Sequence, residues 1–138
     1  MTITELCHNK IVAVDSQCSI QAAAKVMKDN NVGDVLVVRN QKPVGILTDR
    51  DIVIRLAADA IDLDLVTVGN VMSEDLVVFD EHADIKEAID TMAEKGVRRA
   101  PIINAAGTII GITSVDDLLI LLADELNKIS KLLQKQIH

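Results

Sequence analysis

The chain has 138 residues, of which 49% are hydrophobic and 25% charged, with a formal net charge of −7. That composition belongs to one folded domain, or to two small ones sharing a core, and excludes a disordered segment. The acidic balance offers no basic face for nucleic acid, and no apolar run approaches the about 18 residues of a membrane-spanning helix.

In chain order, residues 11–14 form a short apolar run of strand type. Ser19 is a helix N-cap, and Ile20, Ala23, Ala24 and Met27 recur at helical spacing until Asn30 and Asn31, which tolerate left-handed backbone. Residues 35–38 and 44–47 read as strands joined by a hairpin turn over 40–43, and a second helix opens at Thr48. The acidic stretch 59–64 lacks the central Gly and terminal Glu of a calcium loop and is read as a solvated linker. The same grammar then begins again. Residues 76–79 are a strand, Asp84 is a cap, and Ile85, Ala88, Ile89 and Met92 mark a helix ending near Lys95-Gly96. Strands 100–103 and 109–113 flank a turn over 104–107, and Ser114 opens another helix.

A shift of 65 places the first half on the second, and past residue 40 the shift becomes 66 because one residue is gained in the loop around Asn104–Gly107. The chain is therefore a tandem duplication of a β-α-β-β-α unit, an α/β (α+β) fold. Its repeats cover 2–59 and 67–124, with a linker over 60–66 and a helical extension over 125–138. A unit of about 60 residues buries a marginal core alone, so the two are expected to pack sheet to sheet about a pseudo-two-fold axis, leaving two equivalent clefts.

One phrase occurs twice at a strand-to-helix junction: GILTDRD over 45–51 and GITSVDD over 111–117. The first turn of a helix offers free N–H groups and partial positive charge, so a hydroxyl at the cap completes an anion seat. An Asp three residues on can accept two hydrogen bonds from a vicinal diol such as ribose, and Gly permits close backbone approach. Together these suggest a nucleotide. The same Thr/Ser-x-x-Asp pattern also reads as a capping box that needs no ligand. With Phe79 the one aromatic residue, any base would lie between aliphatic side chains rather than stacked on rings.

VGILTDRDIV (44–53), VRRAPIINAAGTIIGITSVDDL (97–118) and TVGNVMSEDLVVF (67–79) together resemble a pair of cystathionine-β-synthase (CBS) domains, a Bateman module of the small stand-alone bacterial type. The resemblance covers nearly all of 2–124. It implies a regulatory sensor without catalytic chemistry, binding AMP, ADP or ATP, with S-adenosylmethionine or NAD less favoured. In each cleft the Asp motif of one repeat would hold ribose and the first two strands of the other would flank adenine and phosphate. Cleft one then joins Ile46, Thr48, Arg50 and Asp51 to Val77, Arg98, Arg99, Ala100 and Pro101. Cleft two joins Ile112, Ser114 and Asp117 to Val12, Gly33, Asp34 and Leu36. Arg98 and Arg99 suit a phosphate, whereas cleft two has Gly33 and Asp34 in their places and Asp116 where cleft one has Arg50. Cleft one is therefore the expected seat.

Other groups suggest little chemistry. Cys7 and Cys18 are read as reduced thiols of a cytoplasmic protein, and MTITELCHNK lacks the pattern of a signal peptide. His8, His82 and His138 show no metal spacing and are read as surface residues. No nucleophile elbow or phosphate-loop motif is present, so no enzymatic activity is expected. A helix over 116–136 carries Leu118, Leu122, Leu126, Ile129 and Leu133 on one stripe. Its distal part would be exposed on a monomer and marks a homodimer contact or the docking face of a regulated protein. The alternative to a sensor is a structural or interaction module with no physiological nucleotide.

Overall fold

The computed structural model describes residues 1–8 and 10–137, with the side chain of residue 137 left aside. A 3-10 turn, Ile3–Leu6, precedes β1 (Ala13–Asp15), α1 (Ile20–Asn30), β2 (Asp34–Arg39) and β3 (Lys42–Thr48). Next come α2 (Asp49–Asp51), which continues as a π-helix over Ile52–Ala57, a 3-10 turn at Leu63–Leu65, and α3 (Val68–Val71). The second repeat supplies β4 (Phe79–Asp80), α4 (Ile85–Lys95), β5 (Arg99–Ile103) and β6 (Ile109–Ser114), and α5 (Val115–Ile137) closes the chain. Among the described residues no helix is long and apolar enough to cross a membrane.

Local signals place most of these elements. The Ser19 hydroxyl accepts from Ala22 N at 3.1 Å and the Asp84 carboxylate accepts from Lys86 N at 3.1 Å, so both expected caps are formed. α1 ends on Asn31 at φ 52° and α4 on Gly96 at φ 67°, the left-handed conformation that terminates helices. Two sheets result, ordered β1-β2-β3 and β4-β5-β6, each with a parallel first pair and an antiparallel second pair. The first hairpin turn is tighter than expected. Asn40 and Gln41 both have positive φ, as a two-residue turn matching strand twist requires, and Lys42 and Pro43 already belong to β3.

The first strand of each repeat is shorter than the apolar runs suggest, and displaced toward its end. β1 is Ala13–Asp15 rather than 11–14, and β4 is Phe79–Asp80 rather than 76–79. The cause is a crossing. The chain ahead of each first strand leaves its own sheet and pairs with the third strand of the other repeat. His8 N donates to Ile112 O at 3.1 Å and Ile112 N to His8 O at 3.0 Å. At the symmetry-related place Ile46 N donates to Ser73 O and Ser73 N to Ile46 O, both at 2.9 Å.

The crossing also exchanges core residues. Val68, Val71 and Met72, which open the second repeat, are buried with Val14, Ile20, Met27, Val35, Val37 and Leu47 of the first. Ile3, with Leu6 and Cys7 beside it, packs with Phe79, Met92, Ile102 and Leu118 of the second. Each sheet is covered partly by the other repeat's leading segment, so neither repeat folds around its own residues alone. Burying Ile3 completely contributes about 1.5–3 kcal/mol. That gain falls on the second repeat, although Ile3 belongs to the first in sequence.

Candidate functional site

The two glycines of the repeated phrase serve this crossing. A Cβ on Gly45 would lie 2.6 Å from Met72 Sδ and 2.7 Å from the Ser73 carbonyl oxygen. On Gly111 it would lie 2.8 Å from Cys7 Sγ and 3.2 Å from His8 O. The close approach they permit is that of the exchanged segment.

The hydroxyl and carboxylate of the phrase behave differently in the two repeats. In the first, Thr48 Oγ1 accepts from Asp51 N at 3.0 Å, and Thr48 N donates to Asp51 Oδ2 at 3.0 Å, a complete capping box. Asp51 Oδ1 faces Arg55 Nε at 3.7 Å, and Arg55 is tied by a 2.9 Å bond to Val71 O. In the second, Ser114 Oγ accepts from Asp117 N at 3.2 Å and donates to Asp117 Oδ2 at 3.0 Å. The same Oδ2 faces His8 Nε2 at 3.6 Å. Asp117 is thus held by a hydroxyl and an imidazole, with no main-chain N–H closing a box on its carboxylate as in the first repeat.

A cavity of about 300 Å³ opens at the pseudo-two-fold axis and extends toward Asp117. It gathers most of the cleft-two set, namely Val12, Asp34, Leu36, Ile112, Ser114 and Asp117. From the cleft-one set it takes Ile46, Arg99, Ala100 and Pro101. Thr48, Arg50, Asp51, Val77 and Arg98 do not line it, and neither does Gly33, whose Cα faces the Asp49 carboxylate. Val77 packs at the margin of the second core, and Arg98 lies 3.7 Å from Asp116 on the surface.

The premise that cleft two lacks basic groups does not hold. His8, Lys10 and Arg99 all line the cavity on that side. Arg99 crosses the pseudo-axis to pair with Asp34, Nη1 to Oδ1 at 3.2 Å, so the acid that argued against cleft two is matched by an arginine counted for cleft one. His8, read from sequence as a surface residue, is exposed, with its side chain 45% accessible, and also lines the cavity. His138 lies outside the described residues. His8, Lys10 and Val12 all line the cavity, and their spacing of two in the sequence, the period of a chain with one face turned inward, was the signal available for the two bases. Leu76 and Asp116 complete the lining.

The walls are aliphatic: Val12, Leu36, Ile46, Leu76, Pro101 and Ile112. Ser114, Asp117, His8, Lys10 and Arg99 supply polar groups to the same lining. Among the described residues no group of three or more His, Cys, Asp or Glu side chains is placed to hold a metal ion. Cys18, which packs against the first core, has its thiol pushed up by burial and by the Asp15 carboxylate.

Two sheets of this order, related by a pseudo-two-fold axis with a cleft between them, define a tandem two-repeat α/β module. Residues 3–58 and 68–124 each match the CBS domain, and the chain belongs to the CBS domain family. It is 33% identical over 117 residues to the CBS domain-containing protein YhcV of Bacillus subtilis, covering 85% of this chain and 82% of that one. It is 32% identical over 110 residues to an uncharacterized protein of Methanopyrus kandleri, covering 79% of this chain but 56% of that longer relative. The crystal structure of Hypoxic Response Protein I, a protein known from Mycobacterium tuberculosis, superposes with a TM-score of 0.74 at 29% identity, covering 86% of this chain and 97% of that one. That structure is described with two coordinated zinc ions.

Proposed function

We propose that this protein is a regulatory module that binds an adenosine nucleotide of the AMP, ADP or ATP type in the cavity at its pseudo-two-fold axis. The observation that carries this reading is the joint placement of Ser114 and Asp117 at one edge of an aliphatic slot and of Lys10 and Arg99 at its other polar positions. Asp117 is the ribose acceptor, the aliphatic walls take the adenine, and Lys10, His8 and Arg99 face the phosphate. The formal charge of the lining is −1 with His8 neutral, from Lys10 and Arg99 against Asp34, Asp116 and Asp117. A single phosphate group is accommodated there with less repulsion than a triphosphate, so AMP is favoured over ADP and ATP. The Thr48–Asp51 pair of cleft one acts first as a helix cap.

Ligand entering between the repeats changes their relative angle, and a homodimer working in the cytoplasm passes that change to a regulated protein without catalysing a reaction. The test is a thermal shift and calorimetry series with AMP, ADP, ATP and S-adenosylmethionine. A ligand at about 100 times its Kd stabilises the fold by about 2.7 kcal/mol. Asp117→Asn is expected to weaken binding by about 1–3 kcal/mol, and Asp51→Asn by less. No shift with any adenosine compound would leave the interaction-module reading in its place. A larger loss at Asp51 would move the site to cleft one.

A further inference from the structure

α5 runs unbroken from Val115 to Ile137, but the body of the protein supports only its beginning. Leu118 is buried and Leu121 half-buried, whereas residues 122–136 are all exposed. Fifteen residues make about 22 Å of helix standing clear of the fold, a length at which an isolated helix is marginal in water. This segment is not polar. Leu119, Leu122, Leu126, Ile129 and Leu133 are each at least half exposed and follow one another at spacings of 3, 4, 3 and 4. That is the seam of a left-handed coiled coil, and it continues the side of the helix that Leu118 turns to the core.

Charge along the helix is segregated. Residues 115–126 carry Asp116, Asp117, Asp124 and Glu125 and no base, while residues 127–137 carry Lys128, Lys131 and Lys135 and no acid. Lys128 already lies 3.5 Å from both Asp124 and Glu125 within its own helix. A parallel partner of the same sequence would set acid beside acid and base beside base. An antiparallel partner sets the acidic half of each helix beside the basic half of the other and opposes the helix dipoles.

We infer that α5 pairs antiparallel with α5 of a second copy of this chain, with Leu126 of one copy level with Ile129 of its partner. In that register the seam residues form matched layers. Leu122 of each copy meets the segment around the other's Leu133, at the mouth of an apolar groove of about 370 Å³ between α4 and α5. Ile89, Met92, Leu118 and Leu122 line that groove, so the distal end of the partner helix covers apolar surface on the second repeat as well as its own stripe. This deepens the dimer reading above by naming the surface and the sense of pairing, and it draws nothing from the ligand reading.

The test is made on the full chain without nucleotide, in a Cys7→Ser, Cys18→Ser background, with a spin label at Asn127→Cys or at Gln134→Cys. Both positions lie off the seam. In the antiparallel register the two labels at 127 sit nearly level across helices about 10 Å apart, whereas those at 134 are separated by a further 20 Å or so along the axis. The interlabel distance is therefore expected to be longer at 134 than at 127 by about 10 Å. Equal distances at the two positions would mean parallel pairing, and no dipolar coupling at either would mean no pairing; each overturns the inference. Leu126→Glu with Ile129→Glu, both exposed and so compatible with folding, is expected to weaken the dimer at least tenfold in sedimentation. An unchanged dimer in that variant overturns the inference while leaving the dimer reading intact.

Discussion

Gly45→Ala is the substitution that best isolates the crossing of the leading segments. The added Cβ falls 2.6 Å from Met72 Sδ and 2.7 Å from Ser73 O. The methionine has rotamers to escape into. The carbonyl does not, because the Ile46–Ser73 pair of 2.9 Å bonds clamps that backbone against β3. Relief requires the exchanged segment to lift from the sheet. Overpacking of this kind costs about 1–3 kcal/mol, and weakening the two clamping bonds adds about 1 kcal/mol each at most. The sum, about 1–5 kcal/mol, corresponds in a chain of this size to a fall in Tm of roughly 3–15 °C.

Gly96→Ala supplies the control: its φ is +67° but nothing lies within 4 Å of the new methyl, so left-handed strain of about 1–2 kcal/mol is its whole cost. Gly111→Ala should fall between the two, since its nearest neighbour at 2.8 Å is the Cys7 side chain and the His8 carbonyl is at 3.2 Å. Urea denaturation of the three variants gives the order. If Gly45→Ala proves as stable as the parent protein, or less damaging than Gly96→Ala, the glycine is not there for the crossing and the reasoning fails.

Two further outcomes follow from single side chains. Thr113 is completely buried in β6 and its Oγ1 has no hydrogen-bond partner, at the position where the first repeat has Leu47, so Thr113→Val should raise stability by about 1 kcal/mol in thermal denaturation, and a loss would show that the hydroxyl is satisfied in solution. The Cys18 thiol is held above its ordinary range by burial and by Asp15, so less of it is thiolate at pH 8, and iodoacetamide should modify it more slowly than a free cysteine; an equal rate by mass spectrometry would count against that environment.

The repeat, the order of its elements and both helix caps are determined by the sequence alone, because each is a local pattern. A cap acts over three residues and a helix face over four, and a duplication shows itself as one list of residue types written twice. Ser19, Asp84, Asn31 and Gly96 all do in the fold what their types and positions require. The family was legible for the same reason, in motifs that are contiguous in the chain. What only the tertiary structure decided lies between residues far apart in the chain, such as His8 and Ile112 or Ile46 and Ser73. The sequence places Ile3 with the first repeat and Met72 with the second, yet each is buried in the opposite core. The glycine of each repeated phrase answers to a backbone from the other repeat. Arg99, counted from sequence for one cleft, reaches Asp34 and enters the cavity on the other side, and Lys10 and His8 join it from the chain ahead of β1, where a spacing of two was the one local sign. Two nearly identical halves offer nearly identical motifs. Small charge differences between them become an asymmetric site only when the pseudo-two-fold packing brings equivalent positions that hold opposite charges, Asp34 and Arg99, face to face.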